Sequence, residues 1–171
     1  GTMKKMMLGL FLAGAVISGA AAAERVKWPV WFAFNDVEDI DVIGLRLTLP
    51  AGYCEQVTGL DLGLIGRSQY FNGIQINLLR NDVKDALAGF QIGCYNSAGL
   101  GDMLGLQAGL WNEAKTMCGF QAGLVNLADY ANGFQVGVIN RAEDMYGFQI
   151  GLINVIRGSE VPFCPIVNIG F

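Results

Sequence analysis

From Gly44 to Asn154 the chain alternates between apolar and small or polar positions. In Gly147-Phe148-Gln149-Ile150-Gly151-Leu152-Ile153-Asn154, Phe148, Ile150 and Leu152 fall on one side, and Gly147, Gln149, Gly151 and Ile153 on the other. A period of two belongs to an extended strand, and two glycines in eight residues disfavour a helix further. The same phrase begins at Gly133, Gly119, Gly105 and Gly89, with degenerate copies at Gly73, Gly59 and Gly44. Successive starts are 15, 14, 16, 16, 14, 14 and 14 residues apart. A ninth, divergent copy would bring Asn168 to the repeat's asparagine position. Polar, turn-like residues such as Arg141-Ala142-Glu143-Asp144 lie between copies. The pattern predicts ten strands, near 28–35, 42–49, 57–66, 70–79, 87–96, 103–112, 117–126, 131–140, 145–154 and 161–171, with the acidic turn Asn35 to Asp39 between the first two.

Two all-β architectures fit this period. The first expectation is an up-and-down antiparallel barrel of about ten strands, one repeat supplying one strand and one turn. Its Phe/Ile/Leu face meets lipid and its Gly/Gln face lines a lumen. The alternative is a β-solenoid with one repeat per coil. Identical residues then stack, Gln91, Gln107, Gln121, Gln135 and Gln149 form one amide ladder, and Asn96, Asn112, Asn126, Asn140 and Asn154 form another. In that arrangement Phe, Ile and Leu are expected in a dry core, with Ala114, Ala128 and Ala142 on the return.

Charge favours the barrel. Only 15% of residues are charged against 53% hydrophobic. A water-facing strand surface usually carries more charge than these repeats supply, and a lipid-facing one needs none. The same composition excludes a disordered chain. The absence of histidine removes Ser-His-Asp and Cys-His mechanisms and the usual zinc sites. With net charge −4, a nucleic-acid partner is not expected.

The first segment reads as an address. Lys4 and Lys5 precede the apolar run Met6 to Ile17, then Ser18-Gly19-Ala20-Ala21-Ala22-Ala23. This is a secretory signal pattern, too short for a transmembrane helix, with cleavage expected after Ala23. Residues 1–23 are therefore read as a signal peptide with its leading residues, and 24–171 as a single β-repeat domain. Without Lys4 and Lys5 the net charge is −6. Export permits disulfides among Cys54, Cys94, Cys118 and Cys164, in any of three connectivities.

Two resemblances add to this. The tail Phe163-Cys164-Pro165-Ile166-Val167-Asn168-Ile169-Gly170-Phe171 resembles the last strand of bacterial outer-membrane barrels, which ends in an aromatic residue after alternating apolar positions. That resemblance implies outer-membrane lipid and the barrel-insertion machinery as partners. Pro162 and Pro165 depart from it by removing ladder donors. The repeats, from about Gly59 to Asn154, resemble bacterial exported "surface repeat" proteins built of G-[FL]-Q-x-G-L-x-N units. That resemblance implies an envelope or surface location and no known catalysis.

Candidate chemistry is sparse. Gly59, Gly63 and Gly66 follow the strand repeat and lack the lysine and helix of a phosphate loop. Asp36, Glu38, Asp39 and Asp41 supply oxygen ligands but not a calcium-loop spacing, and read as a solvated turn. Gln75, Gln91, Gln107, Gln121, Gln135 and Gln149 recur inside strands. They suit a lumen lining, a neutral polar ligand such as a sugar, or mutual hydrogen bonding. No catalytic, cofactor or metal residues are assigned. Two converging acids, as an envelope hydrolase needs, are not expected from acids scattered in turns. The function expected is that of a non-enzymatic outer-membrane or cell-surface protein, structural or weakly pore-forming. The alternative is a soluble or surface-attached solenoid that binds a protein or glycan partner.

Overall fold

The computed structural model describes residues 26–34 and 40–171. The signal-peptide reading and Asp36, Glu38 and Asp39 of the acidic turn lie outside the described residues. Strand β1 spans Val26–Ala33, β2 Ile40–Ile156 and β3 Phe163–Gly170. No helix occurs among the described residues.

The long element β2 is one extended run wound into a β-solenoid, so the barrel expectation is corrected in favour of its alternative. The predicted turns do not interrupt it; the segments between repeat units remain extended and stack as the units do. Parallel stacking explains the fixed identities. A barrel meander runs neighbouring copies in opposite directions, so a glutamine lies opposite other repeat positions, whereas a coil lays each glutamine on the previous one.

A glycine column marks the register. Gly119 has φ +138°, a region L-residues rarely adopt, and a Cβ there would overlap the carbonyl oxygen of Gly105 one coil below. Gly133 meets Gly119, and Gly147 meets Gly133, in the same way.

The two ends are closed by different strands. Strand β1 pairs parallel with the start of β2, Val30 opposite Leu45 and Phe32 opposite Leu47, with a bulge between Trp28 and Val30. Strand β3 turns back and pairs antiparallel with the last coil, Phe148 opposite Ile169 and Ile150 opposite Val167. Asn168 therefore lies opposite Gln149, outside the asparagine column. The expected ninth copy is in fact a reversed cap.

Each coil is narrow, and its interior is largely polar. Glutamine and asparagine point inward with small or medium apolar residues, among them Ala114, Ala128, Ala142, Met103 and Met117. Phe134, Leu124 and Leu152 point out. The solenoid is thus inverted relative to the expectation of a dry Phe/Ile/Leu core. Alternation placed Phe and Gln on opposite faces, and the burial assigns the inside to Gln.

Candidate functional site: a polar ladder and an apolar face

The buried glutamines form a hydrogen-bonded column. Gln149 donates to Gln135, Gln135 to Gln121, Gln121 to Gln107 and Gln107 to Gln91, each at 2.8 Å, and Gln91 donates to Gln75 at 3.0 Å. The second N–H of Gln121 reaches the carbonyl of Leu127 at 3.3 Å. The asparagines run the other way. Asn96 donates to Asn112, Asn112 to Asn126, Asn126 to Asn140 and Asn140 to Asn154, each at 2.8 Å. Their second N–H groups bind carbonyls of the next coil, as Asn126 does to Val136 at 2.9 Å. These carbonyls accept only from nitrogen, so they fix which way each amide points. The two columns have opposed donor directions, and neither carries charge.

Room for the asparagine column comes from the second repeat glycine. A Cβ at Gly123 would strike the carbonyl of Gly109 and Nδ2 of Asn112. The pairing of glycine at offset four with asparagine at offset seven is a packing requirement of the coil.

Both columns meet at Asp61. Gln75 donates to its Oδ2 at 3.0 Å and Asn77 to the same oxygen at 2.8 Å. Asn77 also donates to Asn81, which donates to Asn96 at 2.7 Å and so opens the asparagine column. Arg46 grips Asp61 bidentately, Nε to Oδ1 at 2.9 Å and Nη2 to Oδ2 at 2.6 Å, and Thr48 adds a bond of 2.8 Å. All three side chains are fully buried. Burial pushes the Asp61 carboxyl up. The hydrogen bonds and charge of Arg46, with the amides of Asn77 and Gln75, outweigh it and hold the group below its ordinary value of 3.8. Burial opposes the charge on Arg46, yet the pairing with Asp61 raises its pKa above the ordinary value. Burial also raises the Cys54 thiol, partly offset by Arg46.

This hub was missed in the sequence, although a signal was present. Arg46, Asp61 and Gln75 each stand two residues after a repeat glycine, at Gly44, Gly59 and Gly73. A cation and an anion in adjacent copies of an inward column foreshadow an ion pair.

The glutamine and asparagine candidates are brought together, but as mutual partners inside the coil. Each is fully buried and its amide engaged, which leaves no open lumen for them to line and no surface on which they meet a sugar. All four cysteines are free, so none of the three permitted disulfide connectivities is formed; Cys54 is buried, and Cys94 and Cys118 are exposed. Among the described residues no cluster of Cys, Asp or Glu is placed to hold a metal ion. A shallow hollow of about 310 Å³, lined by Val57, Tyr70, Phe71, Leu87 and Asp102 among others, holds one carboxylate.

The outward face is the other distinctive surface. Segments 73–79, 89–95, 105–111, 119–125, 133–139 and 147–153 contain no charged residue. Their second, fourth and sixth positions point outward, as Phe148, Ile150 and Leu152 do at 40%, 46% and 68% exposure, and the seventh is exposed as well at Leu79, Trp111, Ile139 and Ile153. Phe134 and Phe148 stack at 5.5 Å with rings 10° apart, and Phe120 follows at 6.5 Å. Charged side chains lie in the segments between, among them Glu113, Lys115, Asp129, Arg141, Glu143 and Arg157. Tyr95, beside the face, gives its hydroxyl to Glu113 at 2.8 Å, and Trp111 is exposed.

Comparison with known proteins yields no matching family, no matching curated protein and no matching solved structure.

Proposed function

We propose that the protein is a non-enzymatic structural solenoid of the bacterial envelope that works by docking through its apolar face. The observation that carries this reading is the inversion of the coil: amides inside, Phe, Ile, Val and Leu outside. A water-soluble solenoid has no need to present an uncharged face to solvent, and a large exposed apolar patch ordinarily marks an interaction surface. The signal pattern of residues 1–23 and the likeness to surface-repeat proteins support export to the outer membrane, cell surface or periplasm. Pore formation has no part in this reading, because the interior is filled by side chains.

The test places charge on the face without disturbing the interior. The double substitution Val138→Glu with Leu152→Glu alters two exposed positions. In cells making the exported chain, the variant should fold and elute at a smaller apparent size than the parent on size-exclusion chromatography of a detergent-free extract. A variant that elutes at the parent's apparent size would overturn the docking role.

A further inference from the structure

The size of the face and the closure of both ends identify its occupant. We propose that the apolar face is covered by a second copy of the same chain, packed face to face in a closed homodimer. This rests on the docking role proposed above and names the partner.

Size is the first argument. The face continues beyond the six uncharged segments. Leu60, Leu62 and Leu64, then Leu45, Leu47 and Leu49, extend it at one end, and β1 adds Val30 and Phe32. At the other end β3 adds Ile169 and Val167. Strands lie about 4.8 Å apart and rise about 3.3 Å per residue, so ten rows three side chains wide cover roughly 45 Å by 15 Å. That is about 700 Å², above the typical largest patch of a monomer and close to the roughly 800 Å² each partner buries in a stable complex.

Charge is the second argument. The chain from residue 24 on carries net charge −6, which disfavours an anionic lipid surface or any polyanion. A second copy brings the same uncharged face, so no charge is buried when the two meet, and the acidic and basic side chains of both copies stay in water. Parallel sheets are ordinarily covered on both sides. Here the amide columns cover one side, and a facing sheet at about 10 Å covers the other.

The ends supply the third argument. Strands β1 and β3 are the outer strands of the described sheet, and each contains a proline, Pro29 and Pro165. Proline removes a ladder donor and is a common guard of sheet edges. Growth of the stack by adding another coil at either end is thereby discouraged. Association through the side face alone is self-complementary and closes at two copies.

Two exposed cysteines make the test internal. Cys94 stands in the face, in the column of Leu110 and Leu124, whereas Cys118 precedes Gly119 and lies beside it. Sedimentation equilibrium of the purified exported protein should give twice the chain mass. A water-soluble maleimide should then label Cys118 at least tenfold faster than Cys94. Leu124→Glu, at an exposed position, should yield a monomer with unchanged circular dichroism and equalise the two labelling rates. A monomeric parent with equal rates overturns the proposal. So does a dimer that Leu124→Glu leaves intact. Flotation with neutral phosphatidylcholine vesicles separates the two failures. A monomer that floats keeps the docking face and replaces the second copy by lipid; a monomer that stays in the aqueous fraction removes the docking role as well.

Discussion

The polar interior has two regions that solve one problem differently. Between Gln91 and Asn154 it is a run of neutral amides, each inner rung the donor for one neighbour and the acceptor for the other. Between Arg46 and Asn77 it is an ion pair enclosed by a hydroxyl and two amides. The neutral run propagates because every rung offers what the next requires, and no rung has a unique role. The ion pair is a terminus. The glutamine column sends its last donor, from Gln75, to Asp61, which also accepts from Asn77 at the head of the asparagine chain while its charge is held by Arg46. At the opposite end the column stops on Gln149 Oε1, which has no partner, facing the cap residue Asn168. Distributed amides thus tolerate local change, and a concentrated charge pair does not.

That difference is broken most severely at Asp61. Asp61→Ala removes the acceptor of Arg46, Thr48, Gln75 and Asn77 and leaves a buried guanidinium without its carboxylate. The loss expected is about 3–5 kcal/mol, measured by urea unfolding. A loss below about 1 kcal/mol would mean that the hub is not buried as described.

The backbone column comes next. Gly119→Ala combines an unfavourable φ with overlap on Gly105 and should cost about 2–4 kcal/mol. At Gly99 the nearest atom to a new Cβ is Ser97 Oγ at 3.7 Å, so Gly99→Ala should change stability by less than about 0.5 kcal/mol. Equal effects at the two sites would contradict coil stacking.

Within the ladder, position decides. Gln121→Ala strands an acceptor on Gln107 and a donor on Gln135, for about 2–3 kcal/mol. Gln149→Ala frees only the Gln135 acceptor and Val155 carbonyl at the end of the column, for about 1 kcal/mol. Thermal unfolding of both variants measures the ratio.

Acid titration gives the most gradual effect. Because the folded-state pKa of Asp61 lies below its unfolded value, the stability it contributes is complete above about pH 4 and is lost as pH falls toward the lower, folded-state value. Asp61→Asn should flatten the stability–pH curve in that window. An unchanged slope would show that Asp61 does not titrate with folding.

Much of this architecture is legible in the residues. Period two, the repeat starts and the opposition of Phe148 to Gln149 follow from alternation alone. The choice between barrel and solenoid does not, since both use the same period; it depends on whether neighbouring copies run parallel, with Gln121 on Gln107, or antiparallel, with Gln121 opposite another repeat position. Low charge favours a lipid-facing barrel only while the exterior is assumed to be met by lipid or water. The inversion was hidden by hydropathy, which sends Phe134 inward. In a coil this narrow the stacked amides, with Gly123 and Ala128 beside them, fill the interior and leave aromatic rings outside. The cap was misread for a related reason. Asn168 matches the repeat by residue type, but the reversal of β3 depends on pairing that a one-dimensional spacing does not encode.

The central claim is that the amides are inside and mutually bonded. Hydrogen exchange of the glutamine and asparagine side-chain N–H groups, followed by NMR, tests it most directly. Gln107, Gln121 and Gln135, with Asn112, Asn126 and Asn140, should exchange orders of magnitude more slowly than free amides, with protection falling toward the Gln149 end. Exchange at free-amide rates throughout the two columns would contradict the account.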